Sequence, residues 1–206
     1  MLSGNNMWWQ TRYNESKNQM ICYKGIVDPL NGTLYGTVSW GAPILNYPVA
    51  ASIGADFNEG GYGRVLPNRW DGYKIVQENS PLFSGTGLKN GDMLSMKTTE
   101  YDSAPVVKIP APGSQEIPVI DNTKLNYYKV ELLGYDFAQN SVRPDQLGLG
   151  TFIVCKKSPT AGTVVNAASM DWCNNIVYAK FKTITKNMID LSLAGTSLFS
   201  ASGNKL

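Results

Sequence analysis

The sequence predicts an α/β domain made mostly of strands and closed by one C-terminal helix. Three observations carry this. Residues 162–168 form an apolar, β-branched run that ends in the polar and aromatic loop Ser169-Met170-Asp171-Trp172-Cys173 and leads into a helix, the succession met at the ligand-bearing end of open α/β sheets. The chain before it is cut by Gly, Pro and Asn into short β-branched and aromatic segments, which read as strands. Only one stretch repeats apolar residues at helical spacing, with Ile184, Met188 and Leu191 at i, i+4 and i+7.

Residues 1–6 read as the end of a strand entering a Gly-Asn turn, with too little chain ahead of it for a strand of ordinary length. The expectation is that the front half of the domain lies outside this chain. Residues 7–13 alternate, with Met7, Trp9, Thr11 and Tyr13 on one side and Trp8, Gln10 and Arg12 on the other; residues 20–24 return across a polar turn as the second arm of a hairpin. Asn31-Gly32 marks a further tight turn. Strands are expected over 49–57, 73–76, 94–98, 127–135, 149–156 and 162–168.

A short helix within 46–72 is one reading, but Gly54, Gly60, Gly61, Gly63 and Pro67 argue for loops there, and Pro105, Pro110, Pro112 and Pro118 predict a loop or edge crossing over 105–118, because proline donates nothing to a ladder. Thr183 is positioned to cap the helix and Gly195 to follow its end. Beyond it the residues are small and polar, so residues 1–194 read as one domain and 195–206 as a frayed tail.

With 206 residues, 43% of them hydrophobic, the chain can bury one sizeable core. Its +2 charge is spread without runs, which argues against nucleic acid and anionic membrane surfaces and for small ligands. Histidine is absent, so the commonest general base and zinc ligand are missing and any chemistry falls to carboxylates, Tyr, Lys, Arg or amides. Cys22, Cys155 and Cys173 are odd in number and irregularly spaced, indicating neither a disulfide framework nor a metal knuckle; Cys155 and Cys22 read as small core residues. No window reaches the length of a membrane span, and residues 1–6 lack the pattern of a signal peptide.

The candidate ligand-contact residues are Asn6 at the turn, Trp8 and Arg12 on one face of the segment that follows, and Asp171 and Trp172 after the last strand. Each has a bland alternative: a self-satisfied turn for Asn6, core packing for one of Trp8 and Trp9, capping or an ion pair with Arg12 for Asp171. Glu100 and Asp102 share one face of a strand, and such a pair can divide acid and base roles when its environments differ; Glu100 is the candidate catalytic residue, against the alternative of a solvated sheet edge. No metal ligands are assigned.

Several pieces in order extend beyond these single residues. They are Gly4-Asn5-Asn6-Met7-Trp8-Trp9-Gln10-Thr11-Arg12, Gly60-Gly61-Tyr62-Gly63, 81–92 from Pro81 to Asp92, Thr99-Glu100-Tyr101-Asp102, Ser158-Pro159-Thr160-Ala161-Gly162, and the final strand with Asp171-Trp172 and its helix. Together they resemble the C-terminal domain of the large (beta) subunit of N,N-dimethylformamidase. The resemblance implies a partial doubly wound sheet of the glutamine amidotransferase-like type with a large β-rich elaboration and a C-terminal helix, and hence α/β class. It also implies hydrolysis of a small linear amide, with iron held by two tyrosines and a carboxylate as cofactor in the resembled enzyme. That ligand set is not carried over, because Trp8 stands where the family pattern often has Tyr, and an indole cannot ligate as a phenolate can. A glutaminase triad is excluded by the absence of histidine. The implied partners are a small-molecule ligand and either the missing N-terminal part of the domain or another subunit. The other class of reading is a non-catalytic ligand-binding or interaction module of a larger, exported parent protein. Both place the Gly-Asn turn and the Asp-Trp loop side by side.

Overall fold

The computed structural model describes residues 1–25, 27–67 and 69–201. A small two-stranded ladder, β1 (Arg12–Tyr13) with β2 (Met20–Ile21), forms the hairpin expected of 7–13 and 20–24 only next to its turn, and Trp9 bridges to Ser39 instead. The body is a curled seven-stranded sheet of β3 (Asp56–Tyr62), β4 (Gly72–Ile75), β5 (Met93–Ser95), β6 (Glu100–Ser103), β7 (Lys129–Asn140), β8 (Leu147–Lys156) and β9 (Thr163–Asn166). One path through it runs β5-β4-β7-β3-β6, and β8 joins β7 to β9. Every pairing between these strands is antiparallel. The helices are the short α1 (Ala50–Ile53), α2 (Asn122–Leu125) and α3 (Trp172–Asn175) and the long α4 (Ala179–Leu193). Helices and a curled sheet with a C-terminal helix make this an α/β fold. The amidotransferase-like order remains an expectation of the resemblance.

The long hairpin of β7 and β8 is the spine. Its strands are buried on both faces, which is why β8 reads as a continuous apolar run. Leu149, Ile153 and Cys155 face one core with Val130, Leu132, Tyr135 and Phe137; Phe152 and Val154 face the other with Leu133 and Trp172. A register shift between Leu132 and Gly134 inserts one extra residue in β7, so the inward set changes parity from Val130 and Leu132 to Tyr135 and Phe137 and stays in one core.

α4 covers the second core with Phe181, Ile184, Thr185 and Met188, one face at helical spacing. Burial of the three apolar side chains contributes roughly 1.5–3 kcal/mol each. The helix starts at Ala179, earlier than the sequence suggests, with Tyr178 at its N-cap; Thr183 lies inside it and caps nothing. Residues 195–201 are not frayed: Leu198 and Phe199 are buried, and the Ser200 amide donates to Glu131 at 3.0 Å. Residues 202–206 lie outside the described residues.

Two stretches differ from the sequence reading for steric reasons. Residues 50–53 form α1 instead of strand, closed by Gly54 in the left-handed region at φ 84°. Gly60 and Gly61 lie within β3 instead of in a loop. There they allow close approach, since a Cβ on Gly60 would sit 2.0 Å from the Tyr101 carbonyl oxygen. Residues 105–118 contain no named strand and meet the following segment only through a Val106–Ile120 bridge, as their prolines require.

The curl brings β6 across β8 at Gly150, where a Cβ would lie 2.3 Å from the Tyr101 ring. Gly150→Ala is therefore expected to destabilise the fold by about 2 kcal/mol or more. Urea denaturation measures this, and an unchanged midpoint would show that β6 yields freely.

Candidate functional site

Three chain segments meet at one end of the sheet. Met1 donates to the Val165 carbonyl at 2.6 Å, and its own carbonyl accepts from the Ala167 amide at 2.9 Å. One residue bonding to both neighbours of Asn166 in this way follows the parallel pattern, so the opening residues run alongside β9. Both then turn at the same level. Gly4 lies against the loop, where a Cβ would be in ordinary van der Waals contact at 3.5 Å from the Met170 nitrogen and 3.7 Å from the Ala168 carbonyl oxygen. The thiol of exposed Cys173 donates to the Leu2 carbonyl at 3.5 Å.

β6 is the third segment. Its main chain is stitched to the 168–170 loop by Asp102 N–H to Ala168 O at 2.8 Å and Met170 N–H to Glu100 O at 3.3 Å, around a Tyr101–Ser169 bridge. Strand alternation sends Tyr101 into the core and Glu100 and Asp102 toward the Gly-Asn turn. There the Asn5 amide donates to Asp102 Oδ1 at 2.9 Å, and the Asn5 side-chain nitrogen donates to Glu100 Oε2. Asn5 adopts φ 53°, a left-handed conformation that Asn tolerates better than most residues.

The carboxylates are unequal. Burial pushes Asp102 up to about 7, further raised by the charges of Asp56 and Glu100 and opposed by the amides of Asn5 and Asn6. Glu100 is raised first by burial and then by Asp171, while Arg64 and the Asn5 hydrogen bond favour its charged form. Asp171 accepts from the Thr99 amide at 2.8 Å and from the Asn174 side chain at 3.2 Å, so it ties the loop to the start of β6. It makes no side-chain cap on α3.

The other predicted residues separate. Asn6 is exposed and its side chain donates to the Ser3 carbonyl, the turn-satisfying arrangement. Trp8 is half-buried, edge-on to Phe57 at 5.3 Å; Phe57 is edge-on to Tyr62, the register partner of Glu100. Arg12 does not reach this end. Its guanidinium forms a bidentate pair with buried Asp28 at 2.6 and 2.8 Å, donates to Tyr35 O at 3.0 Å and lies over the Tyr23 ring, so the expected Arg12–Asp171 pair is replaced by Arg12–Asp28. Trp172 does not line a cleft either: it is 0% exposed, packs between Phe152 and Phe181, and satisfies its indole N–H on Thr185 at 3.1 Å. Cys155 is buried as expected, its thiol pushed up to about 12 by burial, but Cys22 is exposed.

Asn5 and Asp102 are the residues that the sequence reading underweighted. Asn5 was visible as the first Asn of the turn; its contacts span about half the chain and have no local signature. Beside the cluster a concavity of about 530 Å³ is lined by Asp71, Ser95, Met96, Lys97, Asn175 and Tyr178, and Asn175 links it to the site by donating to the Asp171 carbonyl at 2.7 Å.

An iron site of two tyrosines and a carboxylate can be tested on the buried group Tyr73, Tyr101 and Asp136, and that group does not fit. All three are buried, Tyr73 donates its hydroxyl to the Ala167 carbonyl, and Tyr101 donates to Asp136 Oδ2 at 2.9 Å. Burial raises both phenols well above 10, which disfavours the phenolate a metal requires. Among the described residues no group of three or more Cys, Asp or Glu is disposed to hold a metal ion, and none of their helices is long and apolar enough to cross a membrane.

The fold and strand-end cluster thus define an α/β domain with paired carboxylates on β6. The family model of the N,N-dimethylformamidase beta subunit-like C-terminal region matches residues 1–185, and the chain belongs to that family. No curated protein and no solved structure matches it.

Asp102 also sets a pH dependence. Its folded value of about 7 exceeds the ordinary Asp value near about 3.9, so its contribution to stability is complete below about pH 4 and is lost as pH rises through about 7. Asp56, Asp136 and Glu100 shift in the same direction. Asp102→Asn, which keeps an acceptor for the Asn5 amide, is expected to flatten but not abolish the fall in unfolding free energy between about pH 4 and about pH 7. Chemical denaturation across that range checks this; parallel pH profiles for the two proteins would refute it.

Proposed function

We propose that the domain binds a small amide at the end of β6 and β9 and takes part in hydrolysis of its C–N bond. Glu100 removes a proton from the attacking water and returns one to the departing nitrogen. The observation that supports this most is the pairing of Glu100, partly accessible and raised above its ordinary range, with the Asn5 side chain and the Asp171 loop in a chain of this family. A carboxyl whose value moves toward neutrality suits proton transfer in both directions. Glu100 needs the carboxylate to accept the water proton, and the Arg64 charge and the Asn5 hydrogen bond favour that form. The beta-subunit name of the family further supports a partner polypeptide for the working enzyme.

A second reading, capture of the ligand without turnover, is favoured by one feature: the tyrosines and carboxylate that could have held a metal are sealed in the core with their hydrogen bonds satisfied.

The experiment is amine release from formamide, N-methylformamide and N,N-dimethylformamide by the purified chain, with and without ferrous iron. Turnover is expected, and Glu100→Gln should lower it by about 10²–10⁴-fold while the circular dichroism spectrum is preserved. Saturable binding without amine release would establish the second reading; neither binding nor release by the folded chain would remove both.

A further inference from the structure

The chain holds two Asn-Gly pairs, Asn31-Gly32 and Asn90-Gly91, both exposed and both with the glycine at positive φ, 81° and 90°. Asn-Gly is the pair in which the asparagine side chain most readily cyclises, because glycine lets its own nitrogen approach the side-chain carbon without steric penalty. The two are held very differently.

Asn90 is clamped. Its Oδ1 accepts from the Glu78 amide at 2.8 Å, its own amide donates to Glu78 Oε2 at 2.9 Å, and the Gly91 nitrogen, the atom that would attack, donates to the Ile75 carbonyl at 2.8 Å. Attack requires that nitrogen to lose its proton and turn toward the side chain, so the Gly91 bond must open and the side chain must leave the position that the Glu78 amide holds. Asn31 donates its main-chain amide to the Asp28 carbonyl at 2.9 Å; among the described residues its side chain and the Gly32 nitrogen have no hydrogen-bond partner, and none lies within 4 Å of where a Gly32 Cβ would be.

We propose that Asn31 is a spontaneous deamidation site of the folded protein and that Asn90, with the same Asn-Gly pair, is protected by its fold. The deprotonated Gly32 nitrogen attacks the Asn31 side-chain carbonyl carbon, the C–N bond to the side-chain nitrogen breaks, and ammonia leaves with the proton taken from water. Water then opens the five-membered imide at either carbonyl, giving an aspartate or an isoaspartate whose main chain runs through the former side chain. The product lowers the formal net charge of +2 by one. The isoaspartate product also lengthens the main chain of the turn that begins at Asp28, the carboxylate that receives Arg12, Thr37 and the Leu30 amide.

The test incubates the full chain at mildly alkaline pH and follows both peptides by chromatography and mass spectrometry, with isoaspartyl methylation as the readout for the rerouted product. In the folded protein Asn31 should convert at least about tenfold faster than Asn90, the factor expected when hydrogen bonds must open before attack. In denaturant the two rates should converge, since only the fold separates them. Equal rates in the folded protein, or conversion of Asn90 first, would overturn the proposal. So would an Asn31 that survives in the folded chain while both convert in denaturant.

Discussion

The buried carboxylate of Asp136 is the constraint on which the architecture turns. It is 0% exposed and accepts four hydrogen bonds, from the amides of Trp70, Gly72 and Phe137 at 2.8, 3.0 and 2.8 Å and from the Tyr101 hydroxyl at 2.9 Å. Burial raises it and the donated bonds pull it back, so the group is tolerated only because each donor is in place. Those donors come from the entry to β4, from β7 and from β6. One side chain therefore fixes where three strands stand. Loss of any partner leaves a buried acceptor short, at roughly 1–3 kcal/mol.

The consequence for the site follows from strand geometry. Tyr101 is anchored inward on Asp136 and wedged over Gly150, so its neighbours Glu100 and Asp102 have no choice but to face the Asn5 turn. Burial there pushes Asp102 up to about 7 and raises Glu100, which costs stability at higher pH and underlies the proton-transfer role proposed for Glu100. The stability cost and the proposed chemistry come from one arrangement.

Much of this was legible in the sequence where the signal is periodic. The apolar run of β8, the helical face of α4 and the shared face of Glu100 and Asp102 follow from spacing, and the meeting of the Gly-Asn turn with the 168–171 loop follows from strand ends in an α/β sheet. What was not legible depends on pairings between distant segments. Arg12 looks free until Asp28 and Thr37 are folded around it. Trp172 looks like a loop aromatic until Phe152 and Phe181 enclose it, and Gly60-Gly61 look like a turn until Tyr101 and Gln139 are seen to need the space. Leu198 and Phe199 lie among small polar residues, so their burial beside Glu131 had no compositional sign.

The most direct measurement compares the native protein with Tyr101→Phe, following the Glu100 and Asp102 carboxyl carbons by NMR titration alongside unfolding in denaturant. Removal of one hydroxyl should cost about 1–3 kcal/mol and move both carboxyls toward ordinary values as β6 loosens from the Asn5 turn. Native-like stability with superimposable titration curves would contradict a site positioned through Asp136.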